Sequence, residues 1–194
     1  QKGAVRPAAF RKGPRVEIRD LFYATPARLK FLKAPKTELY HTSNVIKRLA
    51  MAHPEIAFSF ADEAKIRFRL EFAQVKSSAA RLDRLSAVMG ADFAANAVQV
   101  TAAREGLLLT GYAGLPTLNR GNSRAQYLFV NGRPVQDRLL FGAVRGAYRD
   151  FLARDRHPMV ALFLEVPSDT VDVNVHPAKS EVRFQDGGLV RSLV

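Results

Sequence analysis

Cysteine is absent from all 194 residues. That excludes disulfides and thiolate metal sites, and it fits a reducing compartment. No apolar run approaches the roughly 20 residues a bilayer-spanning helix needs, and no signal-peptide pattern occurs. Acidic residues are scarce: 18 Asp and Glu stand against 30 Lys and Arg, a formal charge of +12. The excess is uneven, because residues 1–48 hold 12 basic side chains and 3 acidic ones. Such a field attracts a polyanion, most commonly nucleic acid; a basic but uninvolved surface is the plain alternative. The four histidines, His41, His53, His157 and His176, are scattered and make no evident metal-ligand set. No glycine-rich loop ending in Lys-Ser or Lys-Thr is present, and no Ser-His-acid spacing stands out. The chain opens on Gln1 rather than Met, which reads as a fragment beginning inside a larger protein.

What is present supports a sizeable core. The composition is 47% hydrophobic and 25% charged, and the length suits one large or two small domains. Residues 16–22 alternate and predict a strand. Thr25-Pro26 then predicts a short capped helix carrying Arg28 and Lys30, either a phosphate-facing basic loop or a solvated face. An amphipathic helix is predicted over 36–53, with Leu39, Thr42, Ile46 and Leu49 as its apolar stripe. Lys47 and Arg48 fall near its end, where the helix dipole favours cations. A hairpin is expected from 56–60 and 66–72, and a polar boundary at 73–78. A second helix is closed by Gly90, and strands follow at 98–101 and 107–112.

The C-terminal half holds three further features. Residues 119–124 form a basic, glycine-containing loop with Arg120 and Arg124. A buried strand at 127–130 ends in the turn signal Asn131-Gly132, and Asp137 can cap a helix from 138 to about 153. On that helix Leu140, Val144, Ala147 and Phe151 are expected to point inward. Arg138, Arg145 and Arg149 fall at i, i+7 and i+11, one helix face that could follow a phosphate backbone; solvation is the alternative. Residues 160–166 read as a buried strand that turns at 167–170 into an antiparallel partner beginning at Val171. There Val171, Val173 and Val175 alternate with Asp172 and Asn174, His176-Pro177 stops the strand, and alternation resumes from Glu181 to Phe184. Lys179 thus sits on a turn between two strands, either solvated or making a point-charge contact to a phosphate. His176, beside proline, reads as structural.

Three stretches in series carry a resemblance. DLFYATPARLKFL at 20–32, FVNGRPV at 129–135 and DVNVHPAKSEVRF at 172–184 resemble, in order and spacing, three signatures of the MutL family of DNA mismatch repair proteins. The similarity covers nearly the whole chain. It implies an α+β protein. Residues 1–75 would be the C-terminal portion of a GHKL ATPase domain, and residues 76–194 a transducer domain of ribosomal-protein-like fold. By the same resemblance Lys179 reaches the ATP γ-phosphate, and Arg138 matches a DNA-contacting arginine. Arg145, Arg149, Arg120, Arg124, Arg28 and Lys30 extend that surface by geometry and charge. The implied whole is a slow ATPase using ATP and Mg²⁺, in the bacterial cytoplasm at the nucleoid. It dimerises on ATP, binds DNA, and couples MutS to a downstream nuclease or helicase. With the upstream ATP-binding motifs absent, the fragment alone is expected to be inactive and to bind neither cofactor. Pro14 stands where the family usually has Thr near the nucleotide, and Ala24 replaces a common Asn. The rival classes are a non-enzymatic nucleic-acid-binding module and a topoisomerase-type transducer.

Overall fold

The computed structural model describes residues 13–63, 65–73, 77–172 and 181–194. The chain divides into two compact units between Glu38 and Leu39. In the first unit the strand expected over 16–22 does not form. Val16 and Ile18 are 82% and 76% exposed, and no described strand pairs with them. Alternation makes a strand only where a partner takes up the backbone N–H and C=O groups. The chain turns instead, with Asp20 and Phe22 at φ of 49° and 67°. Helix α1 (Pro26–Leu29) follows, with proline in its first turn, where a missing N–H costs nothing. Thr25 precedes it as expected, but its side chain makes no capping hydrogen bond.

Helix α2 (Pro35–Ala52) appears where the spacing puts it. In the second unit its buried residues are Ala50 and Met51, whereas Leu49 of the expected stripe is 39% exposed. Lys47 and Arg48 do not serve a helix end. Lys47 Nζ lies 5.8 Å from the Phe68 ring centroid, and the Arg48 guanidinium 5.1 Å from that of Tyr127. Their aliphatic stems cover aromatic surface while the charges face the rings. Strands β1 (Phe58–Asp62) and β2 (Lys65–Leu70) make the expected hairpin, with a register shift after Phe60. Helix α3 (Ser78–Met89) is capped by Ser77, whose hydroxyl accepts from the Ala80 N–H at 3.1 Å. Gly90, at φ 102°, closes it and leads into a short helix α4 (Ala91–Ala95) that periodicity does not reveal.

The remaining elements build one sheet. Strands β3 (Ala97–Arg104) and β4 (Leu107–Gly114) join through Glu105 and Gly106, both at positive φ, as a two-residue hairpin turn requires. After β5 (Asn119–Arg120) and a 3₁₀ turn at Ser123–Ala125 come β6 (Gln126–Val130) and β7 (Arg133–Val135), turning at Asn131-Gly132 as expected. Helix α5 (Arg138–Ala147), β8 (His157–Pro158), β9 (Val160–Glu165), β10 (Val171–Asp172), β11 (Arg183–Phe184) and α6 (Gly187–Leu193) complete the order. The five-stranded sheet runs β3-β4-β9-β6-β7. Its pairs are antiparallel except β6 with β9, a parallel pair bridged by the crossover through β7 and α5. The mixed architecture is α+β.

Strand β9 occupies the centre, which corrects one expectation. The chain order has the segment from Val171 fold back against it, but β4 and β6 already take both of its edges. Strand β10 pairs instead with β11, Val171 opposite Phe184 and Asp172 opposite Arg183. A strand covered on both faces reads as a continuous apolar run, and β9 is that run. Val160, Leu162 and Leu164 pack with Leu140, Val144 and Val190 from α5 and α6. Ala161 and Phe163 pack on the other face with Met51, Leu85 and Phe93. There the Phe129 and Phe163 rings stack at 4.5 Å and 6°.

Gly111 in β4 lets the two backbones meet. A Cβ on it would fall 2.2 Å from the Ala161 carbonyl oxygen, at a φ of +138°. Gly111→Ala is therefore expected to lose about 3 kcal/mol of stability through backbone displacement in the central ladder. Urea unfolding measures it, and a loss under about 0.5 kcal/mol would contradict the close approach.

Candidate nucleic-acid interface

Helix α5 is built as the sequence suggests at its start. Asp137 caps it, Oδ1 accepting from the Leu139 and Leu140 N–H groups at 2.9 and 3.1 Å. Leu140, Ala143 and Val144 are buried, which turns Arg138 and Arg145 to solvent on one side. At 1.5 Å per residue the two are separated by about 10 Å along the axis. The helix is shorter than expected. It ends at Ala147, after two glycines that lower helix propensity, and Tyr148 leaves helical geometry at its C-cap. The Tyr148 hydroxyl donates to the Gly114 carbonyl at 2.6 Å, holding that end against β4, and burial pushes its phenol pKa up. Arg149 therefore lies in a turn, not on the helix face. Ala147 is exposed rather than inward, and Phe151 is 71% exposed.

The turn nevertheless keeps the basic groups together. Arg145 Nη2 donates to the Arg154 carbonyl at 3.1 Å. Arg156 Nε donates to Asn119 Oδ1 at 2.5 Å, beside the β5–β8 pair that sets Arg120 opposite His157. Ser123, from the loop of Arg120 and Arg124, shares a cleft of about 400 Å³ with Arg145, Arg149, Arg154 and Arg156. The structure thus brings Arg145 and Arg149 to one cleft with that loop. It also adds Arg154 and Arg156, which no periodicity marks. Their signal is density: four arginines occur between 145 and 156. Arg120, Arg124, Arg138, Arg154 and Arg156 are all exposed. Arg149 Nε lies 3.5 Å from Asp150 Oδ1 with both side chains over 80% exposed, an ion pair worth little in water. Arg28 and Lys30 are exposed as well, but belong to the first unit.

Lys179 and His176 lie outside the described residues. The paired β10 and β11 flank the segment that carries them. Among the described residues no group of His, Asp and Glu could hold a metal ion. No described helix is long and apolar enough to cross a membrane.

Sequence reasoning also missed a third arginine, one that is buried. Arg84 on α3 is 5% exposed and donates to four carbonyls, of Ala50, Pro54, Ile56 and Glu71. Burial lowers its pKa, and Glu55 partly offsets that. Arg48 also has a lowered pKa, from burial first, with Tyr127 and Tyr40 opposing.

The class is therefore an α+β domain: a mixed sheet with helices on both faces and an arginine-lined cleft at the end of α5. Residues 85–194 match the family described as DNA mismatch repair protein, C-terminal domain. The chain belongs to the MutL family of DNA mismatch repair proteins. It is 62% identical over 193 residues to the DNA mismatch repair protein MutL of Paramagnetospirillum magneticum, and 58% identical to that of Rhodospirillum rubrum. Each comparison covers 100% of this chain, which spans about a third of those relatives' length (32% and 31%). Among solved structures it is similar to the N-terminal domain of a DNA repair protein, with a TM-score of 0.71 at 23% identity over 89% of this chain and 56% of that one. It is also similar to the Aquifex aeolicus MutL ATPase domain complexed with ADP, with a TM-score of 0.58 at 25% identity over 91% and 55%.

Proposed function

We propose that this chain is the part of an ATP-gated DNA clamp that carries the phosphate-sensing lysine and a DNA-binding face. Residues 1–75 would end the ATPase domain, and residues 76–194 would form the transducer. The observation that carries the DNA reading is the cationic surface running from Arg138 through Arg145 to the loop of Arg120 and Arg124. Among the described residues none of these four arginines has a carboxylate partner, so their charge is free to replace counterions on a phosphate backbone. Arg149, Arg28 and Lys30 would add long-range attraction.

Nucleotide use is supported by the solved relative complexed with ADP. ATP and Mg²⁺ would be held chiefly by residues other than the described ones, with Lys179 supplying a positive charge toward the terminal phosphate. A γ-phosphate held in this way links the two domains, and its loss frees them. MutS, a downstream nuclease or helicase, and a second copy in the ATP-bound state are the partners that follow from the family.

Arg138→Glu tests the DNA face. The intact protein should bind duplex DNA about tenfold more weakly at low salt, with a shallower dependence on salt because fewer counterions are released. Fluorescence anisotropy across a salt series reads both. An unchanged affinity and slope would remove Arg138 from the interface.

A further inference from the structure

The cleft at the end of α5 has a composition that a duplex backbone does not need. Its rim is cationic, with Arg145, Arg154 and Arg156, but Phe141, Leu152 and Pro158 give it an apolar wall. Neutral oxygens orient two of the rim guanidiniums. Arg145 is held by the Arg154 carbonyl and Arg156 by the Asn119 amide oxygen. Both are therefore positioned without being neutralised. The turn between lining residues Arg149 and Leu152 also carries Phe151, which is 71% exposed. A phosphate track alone asks for cations. Cations around an apolar recess of about 400 Å³, with an exposed aromatic residue in the adjoining turn, suit a flat base as well as its phosphate.

We propose that this cleft seats one unpaired nucleotide, the base against Phe141, Leu152 and Pro158 and the phosphate on Arg154 and Arg156. The nucleotide could arrive within a single strand or as a free mononucleotide, and the two sources are separable. The proposal rests on the nucleic-acid reading above, but it makes a different demand on the surface. Duplex binding asks for charge alone; this site asks for charge and shape together.

Gly142 provides the probe. It lines the cleft from α5, and a Cβ added to it meets nothing within 4 Å. Gly142→Leu should fill the recess without altering any charge, and leucine suits a helix better than glycine. Binding by the intact protein of a labelled 16-nucleotide oligothymidylate, and of a duplex of equal length, is read by anisotropy. Gly142→Leu is expected to weaken the single strand about tenfold and leave the duplex within about twofold. Arg156→Gln should weaken the single strand by a similar factor, through the phosphate. Thymidine monophosphate that displaces the oligomer from the wild type but not from Gly142→Leu identifies the free nucleotide as a ligand too. Failure to displace assigns the site to strands.

A Gly142→Leu protein that melts normally and binds the single strand like the wild type would overturn the proposal. So would equal losses on single strand and duplex. A wild type that binds the single strand but no duplex would sink the clamp reading while leaving the cleft standing. A wild type that binds neither would sink both.

Discussion

Lys179→Ala is expected to lower ATP turnover by the intact protein about a hundredfold while nucleotide still binds. Transfer of a phosphoryl group spreads negative charge over its equatorial oxygens, and a cation placed there in advance lowers the barrier more than it helps ground-state binding. The ammonium suits the task because it is compact and sits on a flexible stem. Lys179→Arg should therefore not restore full turnover, since the planar guanidinium would have to find a different geometry. Phosphate release at saturating ATP measures the rate, and nucleotide affinity is measured separately by equilibrium titration. A rate within about twofold of wild type would exclude Lys179 from the reaction. A fall in affinity with no change in saturating rate would make it a binding residue only.

The centre of the fold is legible because the sequence repeats there what the structure requires. Residues 160–166 are apolar without alternation, and β9 is covered on both faces. Asn131-Gly132 and Asp137 are local signals with local causes, a turn needing positive φ and a helix needing an acceptor at its first N–H groups. What fails depends on partners the local pattern does not contain. Val16 and Ile18 alternate as a strand does, yet no described strand pairs with them. Chain order gives β9 its sequence neighbour as a partner, although β4 and β6 hold both of its edges. The three-arginine face is half legible. Arg138 and Arg145 share it, but the helix stops before Arg149, which reaches the same cleft as Arg145 through a turn. Arg154 and Arg156 come to that cleft through pairing between β5 and β8, two strands of two residues each that periodicity cannot register. The family signatures make Lys179 conspicuous where the local residue pattern alone leaves it ambiguous.

Arg84→Met is expected to cost about 4 kcal/mol, more than the glycine substitution in the central ladder. Methionine keeps the unbranched stem but not the guanidinium, so most of the loss reports the missing hydrogen bonds and their charge. Nη1 donates to Ala50 at 3.0 Å, and Nη2 serves Pro54, Ile56 and Glu71 at 3.1, 2.9 and 2.5 Å. Ala50 lies in the last turn of α2, whose carbonyls have no partner within the helix. One guanidinium thus closes that helix end, the loop after it and the end of β2, all from α3. Its charge suits four carbonyl dipoles without a carboxylate, and none stands at i±3 or i±4 on α3 to suggest a surface pair. These bonds tie the end of α2 and the segments flanking the β1–β2 hairpin to α3. Hydrogen exchange in Arg84→Met should accordingly rise first in that hairpin and at the end of α2, before the five-stranded sheet. Arg84→Lys, with three donors but no fork, should recover about half of the loss. Urea unfolding gives the totals. A loss below about 1 kcal/mol for Arg84→Met, or exchange that rises uniformly, would show that the guanidinium does not hold these segments together.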